Sequence, residues 1–207
     1  MEHSQTEPEL SADAMREWEG HVEGVLRGVA HALNNRAASV SGVVELWDDP
    51  EQQSGATRTA LAAEVERLRE LVGVVRAVGA PRGQVEAFEP AEAAAVASAI
   101  IGLHADLQAR SITIGGASAP PVRVSKWMLV RALVALAAAA ARGRESTAAA
   151  IDVRGDAGWV VVRAAGAGPA LTPYVLEMVQ AMGGEPLAGG TGFRLPSLAE
   201  LRRREGR

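Results

Sequence analysis

The chain has 207 residues, 48% of them apolar and 3% aromatic, with a formal charge of −4 at pH 7. An acidic balance argues against nucleic acid, which needs clustered cations to meet its phosphates; the one basic cluster, Arg202-Arg203-Arg204, reads as a solvated helix end. No cysteine is present, so disulfides and thiol chemistry are excluded, and His3, His21, His31 and His104 show no metal-ligand spacing.

The start of the chain, residues 1–12, is polar with no apolar period, and is expected to be disordered. It is unlike a signal peptide, and no apolar run has the setting of a membrane span, so the cytoplasm is the expected compartment. From about Ala14 to Trp47 the period is helical: Val22, Leu26, Val29, Leu33, Ala37, Val40, Val44 and Trp47 recur by threes and fours. Asp48-Asp49-Pro50 through Gly55 breaks this helix. A second helix follows from about Thr57 to Val78, with the stripe Leu61, Val65, Leu68, Val72 and Val75. The two helices form a hairpin over 13–80, closed by Gly79-Ala80-Pro81-Arg82-Gly83, which reads as a linker. Two single-striped helices bury little alone. Pairing two hairpins into a four-helix bundle covers both stripes, which makes a homodimer one solution; a cover from within the chain is another.

The second half, 84–197, has a different texture. Gln84–Phe88 alternates as a short strand, Pro90 to about Gln108 reads as a helix, and Ser111–Ile114 as a strand. Ser125 to about Ala141 is a strongly apolar helix. Thr147–Val153 and Trp159–Arg163 are expected to pair through a turn at Arg154-Gly155-Asp156-Ala157-Gly158. Tyr174–Met182 reads as a helix ended by Gly183-Gly184. A last hairpin is expected from Glu185–Leu187 and Thr191–Leu195, and a charged helix and tail over 198–207. The fold class is α+β: a helical hairpin, then a mixed sheet with helices on one face.

His31 lies two positions past Val29, roughly 200° around the helix, so it is expected to face solvent. Its face carries Gly24, Arg27, Gly28, Asn34, Asn35, Ala38 and Gly42. A glycine inside a helix costs roughly 1 kcal/mol against alanine. Three on one face suggest a surface kept low for close approach by a partner, the alternatives being sequence drift or a helix crossing in the dimer. Arg27, one turn before His31, is placed to steady an anionic group or to be a solvated arginine. Trp47, Trp127 and Trp159 read as packing residues.

Val29-Ala30-His31-Ala32-Leu33-Asn34-Asn35 resembles the H-box of histidine kinases, set in the first helix of a hairpin as in that family. The second half resembles the kinase ATP-binding domain in the order and spacing of its elements. Phe88-Glu89-Pro90 matches its opening, Leu129–Ala140 the apolar helix of the N-box, and Ala164-Ala165-Gly166-Ala167-Gly168 the Asp-x-Gly-x-Gly box. Met182-Gly183-Gly184 and Thr191-Gly192-Phe193-Arg194-Leu195-Pro196 match its closing hairpin. The resemblance spans about Val22 to Pro196.

The departures from that pattern are as specific as the matches. The N-box asparagines fall at Ala135 and Ala139, and an alanine methyl offers Mg²⁺ no oxygen. The adenine-binding aspartate falls at Ala164. Only Pro169-Ala170-Leu171-Thr172-Pro173 stands where the lid belongs, so Gly166 and Gly168 read as a vestigial turn. The acidic neighbour of the histidine is Ala32, which removes the base or orienter used in autophosphorylation.

The resemblance therefore implies a degenerate ATPase-like domain, no cofactor, and a homodimeric, cytoplasmic histidine phosphotransfer protein of a two-component phosphorelay. His31 would accept a phosphoryl group from the aspartate of one receiver domain and pass it to another, with Mg²⁺ on the receiver. The implied partners are response-regulator receivers and a hybrid histidine kinase, with no nucleic acid and no membrane. The alternatives are a scaffold in which His31 is idle, or a receiver phosphatase acting through Asn35, which matches the family position that orients water.

Overall fold

The computed structural model describes residues 10–47, 55–79, 84–116, 118–142, 148–165 and 170–206, with side chains at 46 and 47 left aside. The segments 1–9 and 80–83, most of the helix-breaking stretch, and Gly166 and Gly168 lie outside the described residues.

Two long helices open the chain, α1 (Ala12–Trp47) and α2 (Gly55–Val78). Helix α1 begins at Ala12, within the stretch expected to be disordered. They pack as a hairpin in which the Glu64 carboxylate, buried on α2, is held by Arg67 one turn on and by Arg36 of α1 at 3.4 Å. The α/β part follows: β1 (Val85–Phe88), α3 (Pro90–Leu103), β2 (Ser111–Gly115), β3 (Val122–Ser125), α4 (Lys126–Arg142), β4 (Ala148–Asp156), β5 (Trp159–Ala164), α5 (Pro173–Ala181), β6 (Glu185–Pro186), β7 (Gly192–Pro196) and α6 (Leu198–Glu205).

The main sheet runs β2-β4-β5-β7-β6. The β2–β4 pair is parallel, as the intervening α4 allows, and the other neighbours are antiparallel. A separate antiparallel pair, β1–β3, flanks α4. Alternation sorts the strands: Ile151, Val153, Val160, Val162, Phe193 and Leu195 are buried, whereas Arg154 and Arg163 are exposed. The inner face packs on α4, whose Leu129, Leu133, Leu136 and alanines 137, 138, 140 and 141 are almost wholly buried. Alanine keeps this helix close to the sheet.

Several boundaries differ from the sequence expectation. The helix expected to reach Gln108 stops at Leu103, where His104 takes an extended backbone and starts a 3₁₀ turn over Ala105–Leu107. Strand β3 was not anticipated, because Val-Arg-Val-Ser is too short for its alternation to stand out. The β4–β5 turn is tighter than expected: pairing continues to Asp156↔Trp159, so two residues make the bend. Ala157 and Gly158 both have positive φ, 45° and 86°, the geometry of a primed hairpin turn, which suits glycine at the second position.

Helix α1 has two uses along its length. From Ala14 to Val29 its buried residues (Ala14, Trp18, His21, Val25, Val29) join the core of the α/β part, against α3, α4 and α5. The predicted stripe fares differently. Leu26 is 49% exposed, Val44 50% and Val72 48%, and Leu33, Val65 and Val75 are exposed as well. Of the two covers considered for it, the intrachain one reaches Val29 and leaves most of the stripe bare. No helix is long and apolar enough, among the described residues, to cross a membrane.

Candidate functional site

His31 sits on α1 just below the end of its docked half, and its imidazole is exposed. The Asn35 amide nitrogen, one turn on, lies 3.2 Å from His31 Nε2. That contact is a hydrogen bond donated by Asn35 when Nε2 carries the lone pair and Nδ1 the proton. In that tautomer Nε2 carries the nucleophilic lone pair. Among the described residues Asn35 is the one hydrogen-bond partner of His31, and no carboxylate touches the ring. The i+1 position, Ala32, supplies only a methyl.

Asn34, Ala38 and Gly42 extend this open face towards the hairpin loop, and a Cβ on Gly42 would meet nothing within 4 Å. Gly24 and Gly28 do not belong to it. Both are buried against the α/β part. A Cβ on Gly24 would overlap the ring of His104, and one on Gly28 would overlap the carbonyl of Leu103. The expectation of one open glycine face is thus corrected: its upper half is a helix crossing, with the chain's own domain as the close neighbour.

Arg27 is corrected likewise. Its Nη1 donates to Glu23 at 2.9 Å, and its Nη2 to both Asp106 oxygens at 3.0 Å. The guanidinium bridges α1 to the 3₁₀ turn and is not free above His31. Asp106, which sequence reasoning did not single out, therefore stands at the upper edge of the His31 face. The remaining docking contacts were also missed. Trp18 stacks on Tyr174 at the start of α5 with rings nearly parallel and centroids 6.1 Å apart, and Arg131 of α4 lies over its ring at 4.9 Å. Thr172 donates to Glu17 at 2.8 Å while capping α5. Ser11 donates to Glu177 at 2.9 and 2.6 Å from its backbone and hydroxyl, which holds that carboxyl below the usual range. The signal was a second α1 stripe, Ala14-Trp18-His21-Val25-Gly28, hidden because it mixes aromatic, polar and small residues.

The positions compared with nucleotide-handling residues do not fit a nucleotide or its metal. Ala135 and Ala164 are buried in the core, Ala139 is half-buried, and none carries an oxygen. Among the described residues no three His, Cys, Asp or Glu side chains cluster as a metal site.

No family model matches the chain, and no curated protein matches it. Solved structures do resemble it. The histidine kinase AdeS of Acinetobacter baumannii aligns at 15% identity over 81% of this chain and 98% of its own, with a TM-score of 0.44. A histidine kinase from Burkholderia phymatum aligns at 12% identity over 91% and 98%, with a TM-score of 0.41. A bacterial phosphotransferase aligns at 13% identity over 91% and 97%, with a TM-score of 0.39. None of these likenesses carries a functional conclusion.

Proposed function

We propose that the chain is a histidine phosphotransfer protein that works without ATP, with His31 as the phosphoacceptor. The observation that carries this reading is an exposed imidazole whose Nε2 lies beside the Asn35 amide, on an open face of Asn34, Ala38 and Gly42, in a chain whose nucleotide-binding positions are alanines. In the reaction, Nε2 attacks the phosphorus of a receiver's aspartyl phosphate. The N–P bond forms as the P–O bond to the aspartate breaks, and the carboxylate leaves. The ring keeps its Nδ1 proton during attack and releases it to solvent afterwards. Asn35 swings off Nε2 as the phosphoryl group arrives. Mg²⁺ and the activated aspartate belong to the receiver, so no base beside His31 is required.

The active form is a homodimer. The bare stripe of Leu26, Leu33, Val44, Val65, Val72 and Val75 supports it, since a second hairpin would cover it as a four-helix bundle. The 3₁₀ turn with Asp106 flanks the His31 face and would add the α/β domain to the receiver's docking surface. A second reading, a scaffold in which His31 is idle, draws on the absence of a carboxylate beside the ring.

The test is phosphoryl transfer from labelled phospho-receivers to wild type and His31→Ala. Acid-labile, alkali-stable label on wild type alone establishes the reading. Receiver binding without label moves the protein to the scaffold reading, and faster receiver dephosphorylation without a labelled intermediate points to Asn35 as a phosphatase residue.

A further inference from the structure

His21 and His104 meet inside the interface between α1 and the α/β domain. His21 Nδ1 lies 3.5 Å from His104 Nε2, the rings are edge-on with centroids 5.7 Å apart, and both are almost fully buried, at 2% and 1% exposure. Gly24, one turn after His21, is what lets the His104 ring come so close. His104 also joins two elements: its N–H caps α3 through Ile101, and its carbonyl accepts from Leu107 in the 3₁₀ turn. The outer nitrogens, His21 Nε2 and His104 Nδ1, have no hydrogen-bond partner among the described residues.

Such a pair tolerates one arrangement of protons. With both rings neutral, one N–H can face the other ring's lone pair. A further proton makes one ring a cation whose outer N–H meets no acceptor among the described residues. The surrounding charges do not compensate. Arg142 at the end of α4 opposes protonation of both rings, and Arg27 opposes that of His104. Asp106 favours a charge on His104 but is already bound by Arg27. Next along the seam, Trp18 neighbours His21, Arg131 lies over the Trp18 ring, Tyr174 stacks on it, and Glu17 bears on Tyr174.

We propose that the His21–His104 pair is a proton-sensitive latch, which holds the α/β domain on α1 when both rings are neutral and releases it when the pair takes up a proton. The latch does not depend on what His31 does.

Burial, then Arg142 and His104, push His21 down to about 4, and burial chiefly lowers His104. A ring whose docked value is depressed keeps its docking stability above its ordinary 6.5 and loses it as pH falls towards 4. For His21 alone, 6.5 undocked and about 4 docked lower the docked-to-undocked ratio roughly 20-fold between pH 7 and pH 5.

The chain has no cysteine, so Glu19→Cys with Gln180→Cys gives the full protein one dye pair across the seam, both at exposed sites. Energy transfer is expected to hold from pH 8 to 7 and to fall between 6.5 and 4.5 while far-UV dichroism keeps its helical signal. His21→Phe is expected to remove most of that fall, and His104→Gln only part of it, since burial and Arg142 still act on His21. Transfer that stays flat to pH 4.5 overturns the proposal. So does a loss that coincides with loss of helix, or a folded His21→Phe that responds like wild type. Imidazole resonances of the unsubstituted protein give the same test should neither variant fold: two rings neutral at pH 6 support the latch, and two buried rings that titrate as free imidazoles overturn it.

Discussion

Alanine at position 28 is expected to destabilise the protein, whereas alanine at position 42 stabilises it. Both glycines lie inside α1, and helix propensity favours alanine by about 1 kcal/mol at each. At Gly42 nothing stands within 4 Å of the new methyl, so the gain is expected in full. At Gly28 the methyl falls on the Leu103 carbonyl, a backbone atom at a helix end that cannot rotate away. Restoring an ordinary carbon–oxygen contact requires α1 and α3 to part by on the order of 1.5 Å. A gap of 0.5–1 Å already forfeits about a quarter to a half of the dispersion well, and Val25, Val29 and Trp18 all pack in this seam. Overpacking costs about 1–3 kcal/mol, towards the upper end when backbone must move. The net expectation is a loss of about 1–2 kcal/mol for Gly28→Ala against a gain of about 1 kcal/mol for Gly42→Ala. Urea unfolding measures both, with equal slopes confirming that the comparison is one of stability. If Gly28→Ala gained stability as Gly42→Ala does, the crossing of α1 over Leu103 would be refuted.

Other substitutions test other parts of the molecule. Tyr174→Phe keeps the stack on Trp18 and removes a buried hydroxyl that has no partner among the described residues; urea unfolding should find it neutral or more stable by up to about 1 kcal/mol. Glu64→Gln weakens the bonds to Arg36 and Arg67 and should cost about 1–3 kcal/mol by the same measurement. In the proposed homodimer, Val72→Glu places a charge on the bare stripe of both subunits. At about 1.5 kcal/mol or more per lost valine it should weaken a dimer at least about 100-fold in sedimentation velocity, and an unchanged dimer would relocate the interface. The Asn35 bond to Nε2 breaks before attack, so Asn35→Ala, which removes about 1 kcal/mol of ground-state stabilisation, should leave labelling of His31 as fast as wild type or up to about 5-fold faster, whereas His31→Ala should abolish it.

The helical hairpin was legible because α1 and α2 repeat apolar residues by threes and fours over many turns. So was the β4–β5 hairpin, apart from its bend: Gly155 suggested a wide turn, yet it pairs with Val160 inside the ladder. The His31–Asn35 pair was legible as i, i+4 neighbours on one helix. The docking of α1 was not. Trp18, His21, Gly24 and Gly28 form a stripe by position only, and their partners, from Leu103 to Tyr174, come from a distant part of the chain. Local sequence thus set the exposed half of the glycine face correctly and misassigned the half whose environment is tertiary. The bare apolar stripe inverts that case, since its pattern was read correctly but a single chain leaves it open.

Helix α1 is one unbroken rod of 36 residues, roughly 54 Å long, clamped at one end and carrying His31 and the stripe on the other. A rod held this way is a lever. From Gly28 to Trp47 its free arm spans about 28 Å, so a tilt of about 5° at the clamp displaces the far end by roughly 2.5 Å. That is comparable to the shift needed to unseat a knob from its hole in a helical bundle. Rotation about the rod's axis is coupled in the same way, because the contacts of Gly24 and the bearing of His31 are fixed to one backbone. Whatever adjusts the seat of the α/β domain therefore also aims the imidazole and shifts the bare stripe.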